Sequence, residues 1–158
     1  MKKIIYILIL TLSLTNTSFA ASTSSGSSNS DYAKAYNLIK SAKKYEKKGK
    51  TEKAQKKYVK AQKLLLKSNK DKPLQADTLN YLGFTTRKLG DYKKGEEFYL
   101  EGLKIDPNHK GINEYLGELY VVTNRLDLAK ERLEVLKACN CEEFKELNNA
   151  IKSGSSKY

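Results

Sequence analysis

Few residues in this chain have the chemistry for a reaction. Cys139 and Cys141 are the only cysteines, with Asn140 between them, and His109 is the only histidine. A cysteine pair at this spacing can close a tight disulfide in an oxidising compartment, act as a reactive redox couple, or supply half of a metal site. His109 follows Pro107 in a loop, with no second histidine beside it and the cysteines too far along the chain to complete a metal motif. Its expected place is the surface of that loop. No Gly-x-Ser-x-Gly, His-Glu-x-x-His or phosphate-cradling glycine loop occurs. Glu96, Glu97, Glu114, Glu118, Glu142 and Glu143 read as exposed helix faces rather than as acid–base pairs. No catalytic residue, cofactor or metal is expected.

The charged residues are more informative. The chain holds 30 Lys and Arg against 18 Asp and Glu in 158 residues. Residues 31–72 alone carry fifteen lysines against Asp31, Glu46, Glu52 and Asp71, and the remainder is close to neutral. Most charge runs of this kind are solvated helix faces. A field this one-sided also attracts anions and weakens as salt rises.

The elements that hold these residues follow from apolar spacing. Residues 76–109 read as two amphipathic helices. Leu79, Leu82, Gly83 and Thr86 share a face of the first, and Tyr92, Gly95, Tyr99, Gly102 and Leu103 line the second. Gly90 closes the first helix, Asp91 caps the second and Pro107 stops it. Leu116-Gly117 repeats Leu82-Gly83 at an offset of 34, with Tyr120, Ala129 and Leu133 continuing the pattern and Asn124 at the turn. Upstream, Ala42, Tyr45, Gly49, Ala54, Tyr58 and Ala61 form a copy displaced by 41 residues. The seven extra residues amount to about two helical turns, so the second helix there is predicted to run on to about Asn69. Tyr45, Tyr58, Tyr92, Tyr99 and Tyr120 fall on packing positions and are expected in the core.

The ends read differently. Lys2 and Lys3, an apolar run over 4–14 and Ser18-Phe19-Ala20 have the form of a bacterial secretory signal peptide, residues 1–20. The expected location is therefore periplasmic or secreted. Residues 21–30 are nearly all Ser, Thr, Gly and Asn and read as a flexible tether, with Asn29 or Ser30 capping a helix from Asp31. Residues 141–152 place Phe144, Leu147 and Ile151 on one face, with Glu142 and Glu143 in the first turn, and read as a terminal capping helix. Residues 153–158 read as a frayed tail.

The 34-residue pattern resembles the tetratricopeptide repeat, carried by Leu79, Leu82-Gly83, Tyr99 and Pro107, with Gly95 and Gly102 standing for the usual alanines. The resemblance implies an all-α, right-handed helical-repeat stack: about three helix-turn-helix units near 35–75, 76–109 and 110–140, plus the capping helix. It also implies a scaffold that binds a protein or peptide in a concave groove lined by the first helix of each unit. Position by position, the groove would be lined by Tyr36, Ile39, Lys40, Lys43 and Lys47 in the first unit. The second supplies Asp77, Asn80, Tyr81, Phe84, Arg87 and Lys88, and the third Glu114, Tyr115, Glu118 and Val121. Basic, aromatic and acidic regions in that order suit an extended peptide bearing both charges, with Tyr81 and Phe84 as anchors. The form of the family that clamps a terminal carboxylate is not met, because Lys43, Gly111 and Tyr115 replace its required residues. Similar small exported repeat proteins often carry a cysteine pair before the last helix, which implies a structural disulfide between Cys139 and Cys141. An alternative partner is anionic lipid or cell-envelope polymer, bound through the Lys-rich first unit; export argues against nucleic acid.

Overall fold

The computed structural model describes residues 30–156. Residues 1–29, on which the expected signal peptide and nearly all of the expected tether fall, and residues 157–158 lie outside the described residues. Seven α-helices follow in order: α1 Asp31–Glu46, α2 Thr51–Asp71, α3 Ala76–Lys88, α4 Tyr92–Ile105, α5 Lys110–Val122, α6 Leu126–Leu136 and α7 Glu142–Ser153. A 3₁₀ turn at Lys137–Cys139 precedes α7. No strand occurs among the described residues. The architecture is an all-α helical repeat.

The helices pair as hairpins, α1 with α2, α3 with α4 and α5 with α6, and α7 packs on α5 and α6. The turns use the residues their backbone demands. Gly90 adopts φ +99° and Asn124 φ +58°, both left-handed, which is why Gly and Asn stand there. Ser30 accepts from the Ala33 amide to start α1, and Asp91 accepts from the Lys94 amide to start α4. Replacing Asp91 with Ala is expected to cost about 1 kcal/mol in a urea melt. An unchanged midpoint would show that the cap adds nothing.

α2 extends through Leu65 to Asp71, so the long second helix read from the 41-residue offset is present. Where hairpin helices cross, small residues replace large ones. A Cβ on Gly83 would lie 2.5 Å from the Tyr99 ring, so the fully buried Tyr99 requires glycine opposite it. The core runs the length of the stack through Ala42, Tyr58, Leu65, Leu79, Leu82, Tyr99, Ile112, Leu116 and Ala129. Leu147 of α7 is fully buried and covers the last hairpin beside Gly117. Tyr92 departs from the sequence expectation: it is the first residue of α4 and is exposed at the helix edge.

Candidate functional site

The first helices of the units, α1, α3 and α5, lie side by side along one face. Lys43, Phe84 and Glu118 occupy the same position in successive units, at offsets of 41 and 34. Contacts tie the three helices together around these positions. The Lys43 ammonium sits 4.5 Å from the Phe84 ring centroid and donates to the Tyr115 hydroxyl at 2.9 Å, linking α1 to α5. The Phe84 and Tyr115 rings are 4.9 Å apart. Arg87 is one turn beyond Phe84. It donates to Glu118 Oε2 at 3.1 Å and to the Tyr115 carbonyl at 3.3 Å.

This face has an open half and a closed half. In the open half Tyr36, Lys40, Lys47 and Asp77 are exposed, and Lys43, Tyr81 and Lys88 are half-buried. Tyr81 is within 5.4 Å of Tyr36 and 6.1 Å of Tyr32, centroid to centroid, and the Lys40 ammonium lies 4.6 Å over the Tyr36 ring. Burial is the main reason the Tyr81 phenol is pushed well above its ordinary range and that of Tyr32 up to about 12. Both therefore remain hydrogen-bond donors at neutral pH.

The closed half corrects the sequence reading. Phe84 is 0% exposed, and Asn80, Arg87, Glu114, Tyr115, Glu118 and Val121 are all buried, as is Ile39 further along α1. Phe84 is therefore no free anchor: Lys43, Tyr58 and Tyr115 enclose its ring. Glu114 and Glu118 are not on exposed faces. Burial, then the neighbouring Glu118 carboxylate, raise the Glu114 carboxyl to about 8 against the opposing pull of Lys43. Arg87 loses hydration too, yet Tyr99 and Glu118 more than compensate, and its guanidinium stays charged. Lys88 pairs with Glu46 at 2.7 Å, and Glu46 also accepts from the Tyr58 hydroxyl at 2.7 Å.

Two further sets behave differently from expectation. His109 is not a loop-surface residue. Its Nδ1 accepts from the Ile112 amide as the N-cap of α5, so Nε2 carries the proton and reaches Asp77 at 3.1 Å. Cys139 and Cys141 are joined Sγ to Sγ, with Asn140 left-handed between them at φ +45°. The bridge closes the bend into α7. Within the stretch expected as a tail, Ser156 is half-buried and its hydroxyl donates to Glu118 at 2.9 Å.

Sequence reasoning also missed Tyr32, although it sits four residues before Tyr36 on the same helix face. It missed the bidentate pair of Arg125 with Glu96, at 2.9 and 2.7 Å, for which nothing in the spacing gave a signal. No group of three or more His, Cys, Asp or Glu among the described residues is arranged to hold a metal ion. No helix among them is long and apolar enough to cross a membrane. A cleft of about 420 Å³ opens between the start of α1, the end of α2 and the start of α3, lined by Asp31, Tyr32, Asp71, Lys72 and Asp77. It adjoins the open half and leaves the Arg87–Glu118 pair untouched.

No family model matches the chain. Over 50 residues it is 42% identical to the Sol locus transcriptional repressor of Clostridium acetobutylicum, a stretch that is 32% of this chain and 16% of that protein. The match thus spans about a sixth of that relative. Among solved structures it is similar to the type III secretion translocator chaperone SycD of Yersinia enterocolitica, with TM-score 0.54 and 22% identity over 76% of this chain and 87% of that one. It is also similar to the first TPR of Spaghetti (RPAP3) bound to the HSP90 peptide SRMEEVD, with TM-score 0.52 and 19% identity over 77% and 95% of the two chains. The first TPR domain of human RPAP3 gives TM-score 0.54 and 19% identity over 79% and 98%.

Proposed function

We propose that this chain, whose fold is that of the tetratricopeptide-repeat domains, is a non-enzymatic scaffold that holds an extended peptide or protein segment in its concave face. We place its work in the bacterial periplasm or outside the cell. The observation that carries the reading is the open half of the groove, where Tyr36, Tyr81 and Tyr32 form an aromatic surface flanked by Lys40, Lys47 and Asp77. Aromatic rings beside charges of both signs provide anchors and orientation for an extended chain. The groove lacks the residues of the carboxylate clamp, so a terminal acid is not the feature it reads. The leader-like sequence at 1–20 and the cysteine bridge support an oxidising compartment.

A second reading has its own observation. All of the fifteen lysines between 31 and 72 except Lys43 and Lys57 are exposed, which leaves the first hairpin as a cationic surface for anionic lipid or envelope polymer. Salt separates the two. Residues 21–158 are immobilised, loaded with envelope extract, and washed at low salt and at about 1 M, where the screening length falls to about 3 Å. Retention at high salt, lost in a Tyr36→Ala/Tyr81→Ala variant, is the result expected of groove binding. Release of all bound material by salt, with the variant behaving as wild type, would transfer the function to the lysine surface.

A further inference from the structure

The cleft at the start of α1 and α3 adjoins the tyrosines of the open half, and Asp31, Asp71 and Asp77 stand on its wall. Asp31 is engaged, with Lys67 at 2.7 Å and Lys34 at 3.8 Å. Asp77 pairs with the His109 imidazole at 3.1 Å, and its side chain stays 71% exposed. Asp71 is exposed and makes no ion pair among the described residues, although its charge reaches Lys67. Lys72 shares the wall, so acidity alone does not define the site. The rings distinguish it. Lys40 covers Tyr36, Lys57 covers Tyr45 and Arg125 covers Tyr120, whereas no cation among the described residues lies over Tyr32 or Tyr81. Asp77 is near enough to both of these phenols to raise them, after burial, and no lysine is among the charges acting on them. Thr78 also lines the cleft, 3% exposed, and its hydroxyl has no partner among the described residues.

We propose that this corner receives a basic side chain of the bound segment, a lysine or arginine whose stem crosses the Tyr32 and Tyr81 rings and whose cation faces Asp71 and Asp77. This deepens the reading of the concave face as a peptide groove and rests on it. A tyrosine face attracts an ammonium or guanidinium, and the apolar stem of Lys or Arg covers ring surface at the same time. Carboxylates beside the rings add charge-assisted hydrogen bonds. The cleft volume, about 420 Å³, is that of a small-ligand pocket. An anion meets the aspartates there, and a bare metal ion finds no ligand set among the described residues. The rest of the first hairpin is lysine-rich and repels cations. A basic residue is therefore accepted at this corner and disfavoured elsewhere along α1, which fixes where it must fall in the segment.

The test uses tripeptides with blocked termini, Ala-Arg-Ala, Ala-Lys-Ala, Ala-citrulline-Ala and Ala-Glu-Ala, so that only the central side chain differs. Amide NMR spectra of the protein are recorded as each is added up to millimolar concentration. The arginine and lysine peptides are expected to shift the amides of Tyr32, Asp71, Asp77 and Tyr81 saturably. Citrulline keeps the shape of arginine without its charge and is expected to bind about tenfold more weakly. The glutamate peptide is expected to leave these amides in place. Asp71→Asn/Asp77→Asn changes two exposed side chains and is expected to weaken the arginine peptide about tenfold. Asp127→Asn/Glu131→Gln, on the exposed side of α6, is expected to leave it unchanged. No saturable response to either basic peptide, equal binding of arginine and citrulline, or wild-type binding by Asp71→Asn/Asp77→Asn would each overturn the proposal. The wash series separates this from the groove reading. Retention lost in Tyr36→Ala/Tyr81→Ala but intact in Asp71→Asn/Asp77→Asn would leave the groove standing and remove the receptor for a basic side chain.

Discussion

Arg87→Met is expected to lower stability by about 3–5 kcal/mol in a urea melt, among the largest effects of any single substitution in this chain. The side chain of Arg87 is 2% exposed and that of Glu118 is 0% exposed, so removing the guanidinium strands a carboxylate out of water. The cost comes mainly from the charge left behind rather than from the value of the pair. The double variant Arg87→Met/Glu118→Met removes both charges and keeps comparable volume, so it is expected to recover most of the loss. Both outcomes are read from the urea midpoint at neutral pH. A double variant as unstable as the single one would show that the charges are not the reason this position matters. The pair also has a geometric part in the stack. It links α3 to α5 at one register, and it leaves Glu118 Oε2 shared between Arg87 and Ser156.

Glu114 gives the second large effect, with an uncommon sign. Its folded carboxyl is raised to about 8, mainly by burial and then by Glu118, whereas in the unfolded chain it titrates in the ordinary carboxylate range. Between those two values the folded state binds the extra proton. Stability from this group is therefore complete below the unfolded pKa, falls as pH rises through the interval, and levels off above about 8. The groups facing it are Glu118 on its own helix, Lys43 on α1, and Glu143 and Glu146 on α7. Over the whole interval the loss is about 3 kcal/mol, allowing for relaxation and the Lys43 charge. Glu114→Gln should remove it. The difference in stability between variant and wild type, measured by urea melts from pH 5 to pH 9, is expected to grow with pH in favour of the variant. A difference that stays flat would mean that Glu114 ionises normally and that the closed half is wet.

Much of this architecture was readable from residue spacing, because helical repeats place the same packing residue at a fixed interval. Leu82-Gly83 and Leu116-Gly117, the left-handed Gly90 and Asn124, the Asp91 cap and the extended α2 all follow from local rules. The candidate groove was legible only as a set of positions. Spacing assigns Phe84, Arg87, Glu114 and Glu118 to the face between units, but not how closely the units approach. That depends on contacts between residues far apart in sequence, such as Lys43 with Tyr115 and Arg87 with Glu118. A glutamate on a polar stripe has the same local signature whether water or a guanidinium faces it. Ser156 was illegible for the same reason: Ser-Gly-Ser-Ser reads as a loose end until the partner carboxylate is known. His109 shows the local counterpart, since a histidine cap competes poorly in any ranking of caps yet is held here by Asp77.

The central claim is that the partner lies in the concave face rather than on the cationic outside of the first hairpin. The most direct measurement puts a photo-crosslinking amino acid at one of two positions in otherwise identical chains and irradiates each in intact envelope. Tyr36 is 38% exposed in the open half of the groove, and Val59 is 40% exposed on α2, so the two are equally accessible. The account predicts a discrete covalent protein adduct from position 36 that persists at high salt, and none from position 59. Adducts from position 59 alone would contradict it and place binding on the lysine-rich surface.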